Sequence, residues 1–210
     1  MSKLKEILTK KIGRPKGTTV NRKPIDEEDF FKLINYIDNK EIKKQPKNNL
    51  KKAFYLLFFF GFRVNELLTL RNSDILQAVE ENKILLPNNT KTKKAREAFI
   101  SVLNASLLKE IFSENIKEPK DYYIFSPLSY QRYDSYSSSS FKFLLNTMIK
   151  DSLGKQYTSH SFRAGYITRL HRKGVSARII QEIISHRNIS TTMGYISIEE
   201  QELTNAVSLL

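Results

Sequence analysis

The chain has 210 residues, a length that suits one domain with its own hydrophobic core. Lysine and arginine outnumber aspartate and glutamate by 35 to 22, so the formal net charge is +13 and the pI is about 9.7. This excess favours a polyanionic partner, because clustered basic side chains displace condensed counterions from nucleic acid. The sequence contains no cysteine, which excludes disulfides, thiolate metal sites and cysteine nucleophiles from this chain.

An anionic membrane surface is the competing partner for a basic chain. The basic residues are spread through a globular pattern, however, and no basic amphipathic helix stands out. The apolar run Ala53–Phe62 is too short to cross a bilayer and is typical of a buried core helix. No signal-peptide pattern opens the chain. We therefore expect an intracellular protein that associates with DNA and not with a membrane.

The first 23 residues, Met1–Lys23, are rich in lysine and lack apolar periodicity, which predicts a flexible basic tail. Gly13-Arg14-Pro15 in this tail is similar to the core of an AT-hook, an arm that places arginine in a narrow A·T minor groove. A solvated basic leader is the alternative interpretation. The candidate DNA contacts of the tail are Lys10, Lys11, Arg14 and Lys16. Residues 24–210 are expected to form one folded domain.

The folded part is predicted to begin with a helix near Pro24–Asp29, because acidic residues in a first turn favour a helix N-terminus. The apolar face of this helix consists of Phe30, Leu33, Ile34 and Ile37. A basic linker, Lys40–Lys52, is expected to lead into the apolar helix, which Gly61 ends. Helical spacing resumes at Val64–Leu70, so Arg63 lies at a helix junction.

The centre of the chain predicts one hairpin. Its strands are Lys83–Leu86 and Ala98–Val102, around the turn-forming cluster Pro87–Thr90. A helix, an extended segment, a loop and a second helix are expected to follow at Asn104–Phe112, Tyr122–Phe125, Ser126–Ser140 and Phe141–Ile149. Glycines at positions 154 and 174 separate further helices. The predicted fold class is mostly α with a small antiparallel β-sheet (α+β), without internal repeats.

Near the carboxyl end, two histidines and an arginine precede a tyrosine. His160 and Arg163 are three residues apart on a predicted helix, so both face one side and can reach one phosphate. His186 precedes Tyr195 across a threonine-rich turn. Ionising a phenol at neutral pH costs roughly 4 kcal/mol, because its reference pKa is near ~10. Cations that stabilise the phenolate and the charge gathering on a phosphorane would make it a nucleophile.

Arg63 has two interpretations when it is considered alone. It could serve a phosphate site, or it could be a structural arginine that pairs with Glu66 or Asp74. Each short pattern arises often by chance, and only the joint spacing of all of them indicates a phosphodiester-cutting site.

Four segments resemble, in order, the motifs of the tyrosine recombinase (phage integrase) family. They are Gly61–Leu67, His160–Arg163, Ile184–Ile189 and Thr191–Tyr195. The family's catalytic tyrosine lies nine residues after its second histidine, as Tyr195 does after His186. The resemblance covers about residues 26 to 200 and implies the tyrosine recombinase catalytic-domain fold.

Three departures from the family pattern stand out. Ala164-Gly165 follow Arg163 where His-Thr is common, and Ile184-Ser185-His186 stands where Leu-Gly-His is frequent. Most members also carry a separate helical domain before the catalytic one. Here only the short basic tail precedes the predicted catalytic domain, and in this the chain is similar to the short recombinases that invert fimbrial promoters.

The resemblance implies a role for each site residue. Tyr195 attacks a scissile phosphate and forms a 3′-phosphotyrosyl link, while Arg63 and Arg163 clamp the non-bridging oxygens. His160 accepts the proton of Tyr195 and later returns it. His186 hydrogen-bonds the phosphate. Because the backbone bond energy is conserved, no cofactor is expected, neither ATP nor a metal.

The family also carries a lysine on a β-hairpin that protonates the leaving 5′-oxygen. Lys91 fits that place best, between the two predicted strands, with Lys93 and Lys94 as reserves. A lysine-rich turn that is merely solvated is the alternative.

Family members work as homo-tetramers that join two double-stranded DNA sites, in some cases with accessory proteins. Glu199–Leu210 has helical apolar spacing and is expected to form a C-terminal helix that packs either in trans or in cis. The implied activity is site-specific recombination, by integration, excision, inversion or resolution. A type IB topoisomerase and a catalytically idle DNA-binding regulator are the alternatives.

Overall fold

The structure is a computed structural model that describes residues 23–86, 95–126 and 135–196, together with Ser208. Within these ranges it contains ten helices and one hairpin. In chain order they are α1 Glu27–Asn39, α2 Lys44–Phe60, α3 Val64–Leu67, α4 Asn72–Glu81, β1 Lys83–Leu86, β2 Arg96–Phe99, α5 Val102–Ile111, α6 Ser113–Lys117, α7 Ser138–Leu153, α8 Ser159–Arg172, α9 Ala177–Ile184 and α10 Ile189–Met193. The predicted fold class, mostly α with a small antiparallel sheet, is confirmed.

Helix α1 begins where the acidic residues predicted it. The side chain of Asp26 caps the helix and accepts a hydrogen bond from the backbone N–H of Asp29 at 2.8 Å. All four apolar residues of the predicted face are buried. This face packs against α2 and α7.

The predicted basic linker before α2 was too long. The helix begins at Lys44, so the connection from α1 is only residues 40–43. Pro46 lies in the first turn, where its missing N–H breaks no helical hydrogen bond. The apolar run at the end of α2 is part of the core, as predicted, and Gly61 ends the helix in the left-handed conformation with φ of 60°.

The hairpin has a different second strand from the one predicted. The strand β2 pairs antiparallel with β1 in a register that places Ile84 opposite Ala98 and Leu86 opposite Arg96. Ile84, Leu86 and Ala98 are buried on one face. Val102 belongs to α5, which is capped by Ser101. The predicted strand Ala98–Val102 was therefore wrong at both ends.

Other expectations are refined by a few residues. Helix α7 begins three residues before the predicted Phe141 and runs on to Leu153. In the predicted extended segment, Tyr123 forms an isolated antiparallel bridge with Arg71. The glycines at 154 and 174 follow α7 and α8 with positive φ. Helix α4 was not predicted from the sequence.

Two clusters of apolar side chains hold the helices together. The main core lies between α1, α2, α7 and the hairpin and extends to Phe162 of α8. A smaller cluster joins α8 to α9 and contains Ile167, Ile180 and Ile184, with Tyr195 packed against it. Helix α8 contacts both α2 and α9, so it connects the two clusters.

The backbone of Ile25 lies directly on α8. Its N–H donates to the carbonyl oxygen of Ser161 at 3.1 Å, and its own carbonyl accepts from Arg169 Nη1 at 3.4 Å. Gly165 lies between these two residues on the same face of the helix. A Cβ atom at position 165 would collide with the carbonyl of Ile25. The segment entering α1 is therefore fixed to the helix that carries His160 and Arg163.

Four predicted features lie wholly or mostly outside the described residues: the basic tail, with Lys10, Lys11, Arg14 and Lys16; the turn of the hairpin; most of the loop Ser126–Ser140; and nearly all of the C-terminal segment. The described helices include none that is both long and apolar enough to span a membrane.

Candidate active site

Arg163 is the buried centre of the site. It lies in the second turn of α8 with only 4% of its surface exposed. Its Nη1 donates to the carbonyl oxygen of Gly61 at 2.8 Å, and its Nη2 donates to the carbonyl of Ile184. Its Nε donates to His186 Nε2 at 3.3 Å. One guanidinium thus connects the end of α2, the end of α9 and the second histidine of the predicted site.

Burial and the nearby charge of Arg63 lower the pKa of Arg163 to about 9. Arg163 therefore remains protonated at neutral pH. A buried cation with hydrogen bonds to neutral carbonyls retains its attraction for a phosphate, because water screens it little.

Arg63 lies at the helix junction that the sequence predicted, between α2 and α3. Its backbone N–H donates to Glu66 Oε2 at 2.7 Å, and its Nη1 donates to Glu66 Oε1 at 2.8 Å. Its Nη2 lies 3.4 Å from the carbonyl oxygen of Ser185. Of the two structural partners considered from the sequence, Glu66 is thus the one that Arg63 contacts. The pairing does not remove Arg63 from the site, because the Arg63 side chain is still 29% exposed.

Glu66 is shared with a second arginine, Arg96 of β2. Arg96 Nη2 donates to Glu66 Oε2 at 2.9 Å, and its Nε donates to Oε1 at 3.3 Å. Burial raises the pKa of Glu66, but the hydrogen bonds and charges of Arg96 and Arg63 outweigh burial and lower it to about 2. Sequence analysis assigned no role to Arg96. The available signal was the position of Arg96 two residues before the buried Ala98, on the same face of the strand.

His186 follows the end of α9. Ser185, which stands where family members often have glycine, adopts the left-handed conformation with φ of 50° and turns the chain toward Arg163. His186 Nδ1 lies 3.0 Å from Thr192 Oγ1. Because Nε2 accepts from Arg163, we assign the ring proton to Nδ1. Burial, together with Arg163 and Arg63, lowers the pKa of His186 to about 3, so the ring is neutral at pH 7.

Tyr195 lies beside His186 just after α10. The two rings are stacked, with their centroids 6.1 Å apart. The N–H of Tyr195 donates to the carbonyl of Thr192 at 3.0 Å, and its own carbonyl accepts from Thr168 Oγ1 of α8 at 3.4 Å. The short helix α10 thus brings the phenol to the arginine cluster, as the threonine-rich turn indicated.

The remaining predicted catalytic residues are His160 and the lysines of the hairpin turn. His160 lies exposed in the first turn of α8, one turn before Arg163. Lys91, Lys93 and Lys94 fall outside the described residues. The structure therefore brings four of the six predicted catalytic residues together, Arg63, Arg163, His186 and Tyr195, and places a fifth on the same helix as Arg163.

A cleft of about 600 Å³ opens beside His186. It is lined by Arg178, Gln181, His186, Arg187, Asn188, Ile189 and Thr191. Gln181 is buried and donates to the carbonyl of His186 at 2.9 Å, which fixes the backbone at the base of the cleft. Among the described residues, no cluster of three or more His, Asp or Glu side chains is placed to hold a metal ion.

Comparison with known proteins identifies the family to which this helical domain with one hairpin belongs. The model of the phage integrase family matches residues 23–202, and the chain belongs to that family. Among its curated relatives, a tyrosine recombinase of Pseudothermotoga lettingae is 30% identical over 155 residues, which are 74% of this chain and 51% of that protein. The tyrosine recombinase XerA of Pyrococcus horikoshii is 29% identical over 94% of this chain and 64% of its own length.

Solved structures establish the same fold. The crystal structure of XerA recombinase matches with a TM-score of 0.65 and 21% identity, over 94% of this chain and 65% of that one. The catalytic domain of bacteriophage HP1 integrase matches with a TM-score of 0.54 and 22% identity, over 89% of this chain and 94% of that domain. The fold is thus that of a tyrosine recombinase catalytic domain. The chain spans about half to two thirds of the length of the curated relatives it matches.

Proposed function

We propose that this chain is a site-specific DNA recombinase that cuts and rejoins double-stranded DNA through a 3′-phosphotyrosyl intermediate. The observation that carries the proposal is the grouping of Arg63, Arg163 and a neutral His186 at the end of α9, with the ring of Tyr195 stacked beside His186. The relatives named tyrosine recombinases support it. The Tn1549 transposon integrase, solved with transposon right-end DNA, matches with a TM-score of 0.67 and 17% identity over 92% of this chain and 67% of its own.

The proposed first step is an in-line attack of Tyr195 on a scissile phosphate. The phenol oxygen forms a bond to phosphorus, the bond to the 5′-oxygen breaks, and a free 5′-hydroxyl leaves. Arg63 and Arg163 stabilise the additional negative charge on the non-bridging oxygens, each contributing about 10²- to 10³-fold in rate by analogy with other oxyanion donors. His160, exposed one turn before Arg163, would take the phenolic proton.

His186 has a second task in this scheme. In the free protein its Nε2 accepts from Arg163, so this nitrogen carries no proton. Binding of an anionic phosphate would favour the protonated ring and would allow Nε2–H to donate to a phosphate oxygen. Thr192 Oγ1 holds the other ring nitrogen and keeps the plane of the imidazole fixed.

Lys91 is our candidate for the acid that protonates the leaving 5′-oxygen, with Lys93 and Lys94 as reserves. Arg96 begins β2 five residues after Lys91, so the chain between them spans at most about 18 Å. This short separation from Arg96, which binds Glu66, is what supports a lysine of this segment as the acid.

The assembly and the tail are further parts of the proposal. Strand exchange by this chemistry would require a homo-tetramer on two DNA sites, with Glu199–Leu210 as the candidate contact between protomers, and accessory proteins where a given element uses them. Lys10, Lys11, Arg14 and Lys16 would add contacts to phosphates or to the minor groove.

The test is covalent capture on nicked duplexes drawn from the DNA that flanks the gene. The wild-type chain should form an adduct that resists SDS, and Tyr195→Phe should bind the same DNA without forming it. Tyr166→Phe is the matched control, because Tyr166 is a neighbouring, mostly buried phenol whose pKa burial raises. An adduct that survives in Tyr195→Phe would refute the assignment of the nucleophile. Relaxation of supercoiled plasmid without paired sites would favour the topoisomerase alternative.

A phosphorothiolate at the 5′-bridging position tests the acid. Its sulfur leaves without protonation, so this substrate should rescue Lys91→Ala but not Arg163→Ala. Rescue of Lys93→Ala or Lys94→Ala instead would move the role along the turn.

A further inference from the structure

Three arginines from three different elements donate to three consecutive carbonyl groups at the end of α9. Arg96 Nη1 contacts the oxygen of Ile183 at 2.8 Å, Arg163 Nη2 contacts that of Ile184, and Arg63 Nη2 contacts that of Ser185 at 3.4 Å. The last carbonyls of a helix lack partners within the helix and carry its partial negative charge. The end of α9, and with it His186, is therefore held in place by the arginine cluster.

Arg96 differs from the other two in how its donors are used. Its Nε and Nη2 both bind Glu66, its Nη1 binds Ile183, and only 10% of its side chain is exposed. Its guanidinium carbon lies 5.5 Å from the centre of the Phe62 ring. Arg96 is thus enclosed by protein and directed at other site residues, whereas Arg63 is exposed enough to meet a phosphate.

Glu66 receives four donors on two carboxylate oxygens. Two come from Arg63 and two from Arg96, so the acceptor capacity of the carboxylate is filled. The negative charge of Glu66 cancels one of the positive charges that Arg63 and Arg163 bring to the site. Arg96 restores that charge and, by binding both oxygens of Glu66, limits where Arg63 can lie.

We infer that Arg96 is a positioning residue of the reaction, which orients Arg63 through Glu66 and the loop before His186 through Ile183. This inference rests on the proposed function, because it assigns Arg96 a role in DNA cleavage. A guanidinium is required, since a lysine ammonium cannot offer the planar fork to Glu66 and a third donor to a carbonyl at once.

The experiment compares Arg96→Gln and Arg96→Lys with Arg71→Gln and Arg71→Lys. Arg71 is a suitable control because it also has a half-buried acid three residues later, but its side chain contacts Tyr123 and not Glu66 or α9. On the nicked duplex, Arg96→Gln should lower the single-turnover cleavage rate at saturating DNA about 100-fold, near the effect of losing one oxyanion donor. Its Kd for DNA should change less than about threefold, within roughly 0.7 kcal/mol.

Arg96→Lys retains the positive charge, so it tests the role of the guanidinium even if Arg96→Gln fails to fold. It should recover no more than about a tenth of the wild-type rate, whereas both Arg71 variants should stay within about threefold of it. Cleavage by folded Arg96→Lys at the wild-type rate would overturn the role of the fork. An equal loss of rate in the Arg71 variants would show a general loss of structure instead.

NMR of the free protein provides a readout that does not depend on cleavage. In Arg96→Gln the Arg63 Nε–H signal should shift and the His186 imidazole should titrate at higher pH, while Arg71→Gln should change neither. Unchanged signals in Arg96→Gln would overturn the inference even with an active enzyme. A wild-type chain that forms no adduct, with these NMR shifts present, would refute the proposed function and leave the positioning contacts established.

Discussion

The chain contains the same local arrangement twice, and only one copy belongs to the site. Arg63 and Arg71 each precede a helix, and each donates its backbone N–H to an acid three residues later, at 2.7 Å in both cases. In the first copy the acid, Glu66, also binds the side chains of Arg63 and Arg96. In the second copy the side chain of Arg71 turns away and contacts the carbonyl of Asp121 and the hydroxyl of Tyr123.

The two acids respond in opposite directions. Burial raises the pKa of Asp74, because the hydrogen bond and charge of Arg71 only partly compensate for lost hydration. The pKa of Glu66 falls to about 2 despite deeper burial, because two arginines surround it. The short sequence pattern thus specifies a helix start, while a third residue, Arg96, distant in sequence, joins one copy to the proposed active site.

Replacing Arg63 and Arg71 one at a time should distinguish a role in cleavage from a role in stability. We expect the largest effect of all these predictions here, on the cleavage rate. We expect Arg63→Ala to reduce single-turnover cleavage by about 10²- to 10³-fold, because it removes a donor to the phosphate. Arg71→Ala should leave cleavage within about threefold and lower the free energy of unfolding by about 1–2 kcal/mol, through lost stacking on Tyr123 and lost hydrogen bonds. The two measurements are cleavage of a nicked duplex and urea unfolding. A cleavage defect of Arg71→Ala as large as that of Arg63→Ala would break the distinction.

The two acids should differ next in stability. Glu66→Gln leaves two partly buried arginines without their shared anion, and breaking a buried ion pair in this way typically costs about 3–5 kcal/mol. Asp74→Asn removes a carboxylate that is itself disfavoured by burial, so we expect a change below about 1 kcal/mol. Urea unfolding at pH 7 measures both. Equal costs would mean that Arg96 adds nothing to the first copy.

The pH dependence of stability should have opposite signs in the two copies. The folded pKa of Glu66 is lowered from 4.5 to about 2, so its contribution is present above pH 4.5 and is lost as pH falls toward 2. The folded pKa of Asp74 is raised from 3.8, so its contribution is present below pH 3.8 and is lost as pH rises through the higher folded value. Chemical unfolding from pH 2 to 6 should show the advantage of wild type over Glu66→Gln shrinking toward acid. The difference from Asp74→Asn should move the other way, and parallel slopes would contradict this prediction.

The smallest expected effect is spectroscopic. Burial, Arg163 and Arg63 lower the pKa of His186 to about 3, so Arg63→Ala should raise that pKa, while Arg71→Ala should leave it unchanged. The imidazole signals in an NMR titration of the free protein report it. An equal shift in the pKa of His186 in Arg71→Ala would mean that the charge of Arg71 also acts on the site, which contradicts this prediction.

Much of the helical fold could be predicted because its signals are local. The first turn of α1, its apolar face and the glycine that ends α2 each depend on a few neighbouring residues. The start of α2 was missed because lysines in a first turn resemble a solvated linker when only charge is considered. The second strand was predicted too late in the chain because Arg96 is charged, and charged residues usually face solvent. Arg96 points inward because it binds Glu66, thirty residues earlier.

In the candidate active site, too, local sequence patterns predicted some residues and missed a contact between distant ones. The spacing of Arg163, His186 and Tyr195 predicted a shared role, and the structure places the three residues side by side. No spacing rule could reveal that Arg96 completes the cluster, since the contact requires the hairpin to be folded against α3. The catalytic roles of these three residues, like those of His160 and the lysines of the turn, remain predictions.

The close approach of Ile25 to Gly165 makes one position of α8 intolerant of any side chain. Glycine is ordinarily a weak choice inside a helix, less stable than alanine by about 1 kcal/mol, so here it marks a crossing of two backbones. Gly174 follows the end of α8 and has open space around it, so a side chain there is disfavoured only by the φ of 79°. Saturation mutagenesis would thus find glycine favoured at both positions, at 165 because of the neighbouring backbone and at 174 because of its own φ. It also means that the entry to α1 is attached at Ile25 to the helix of Arg163, so we expect the two to move as one unit.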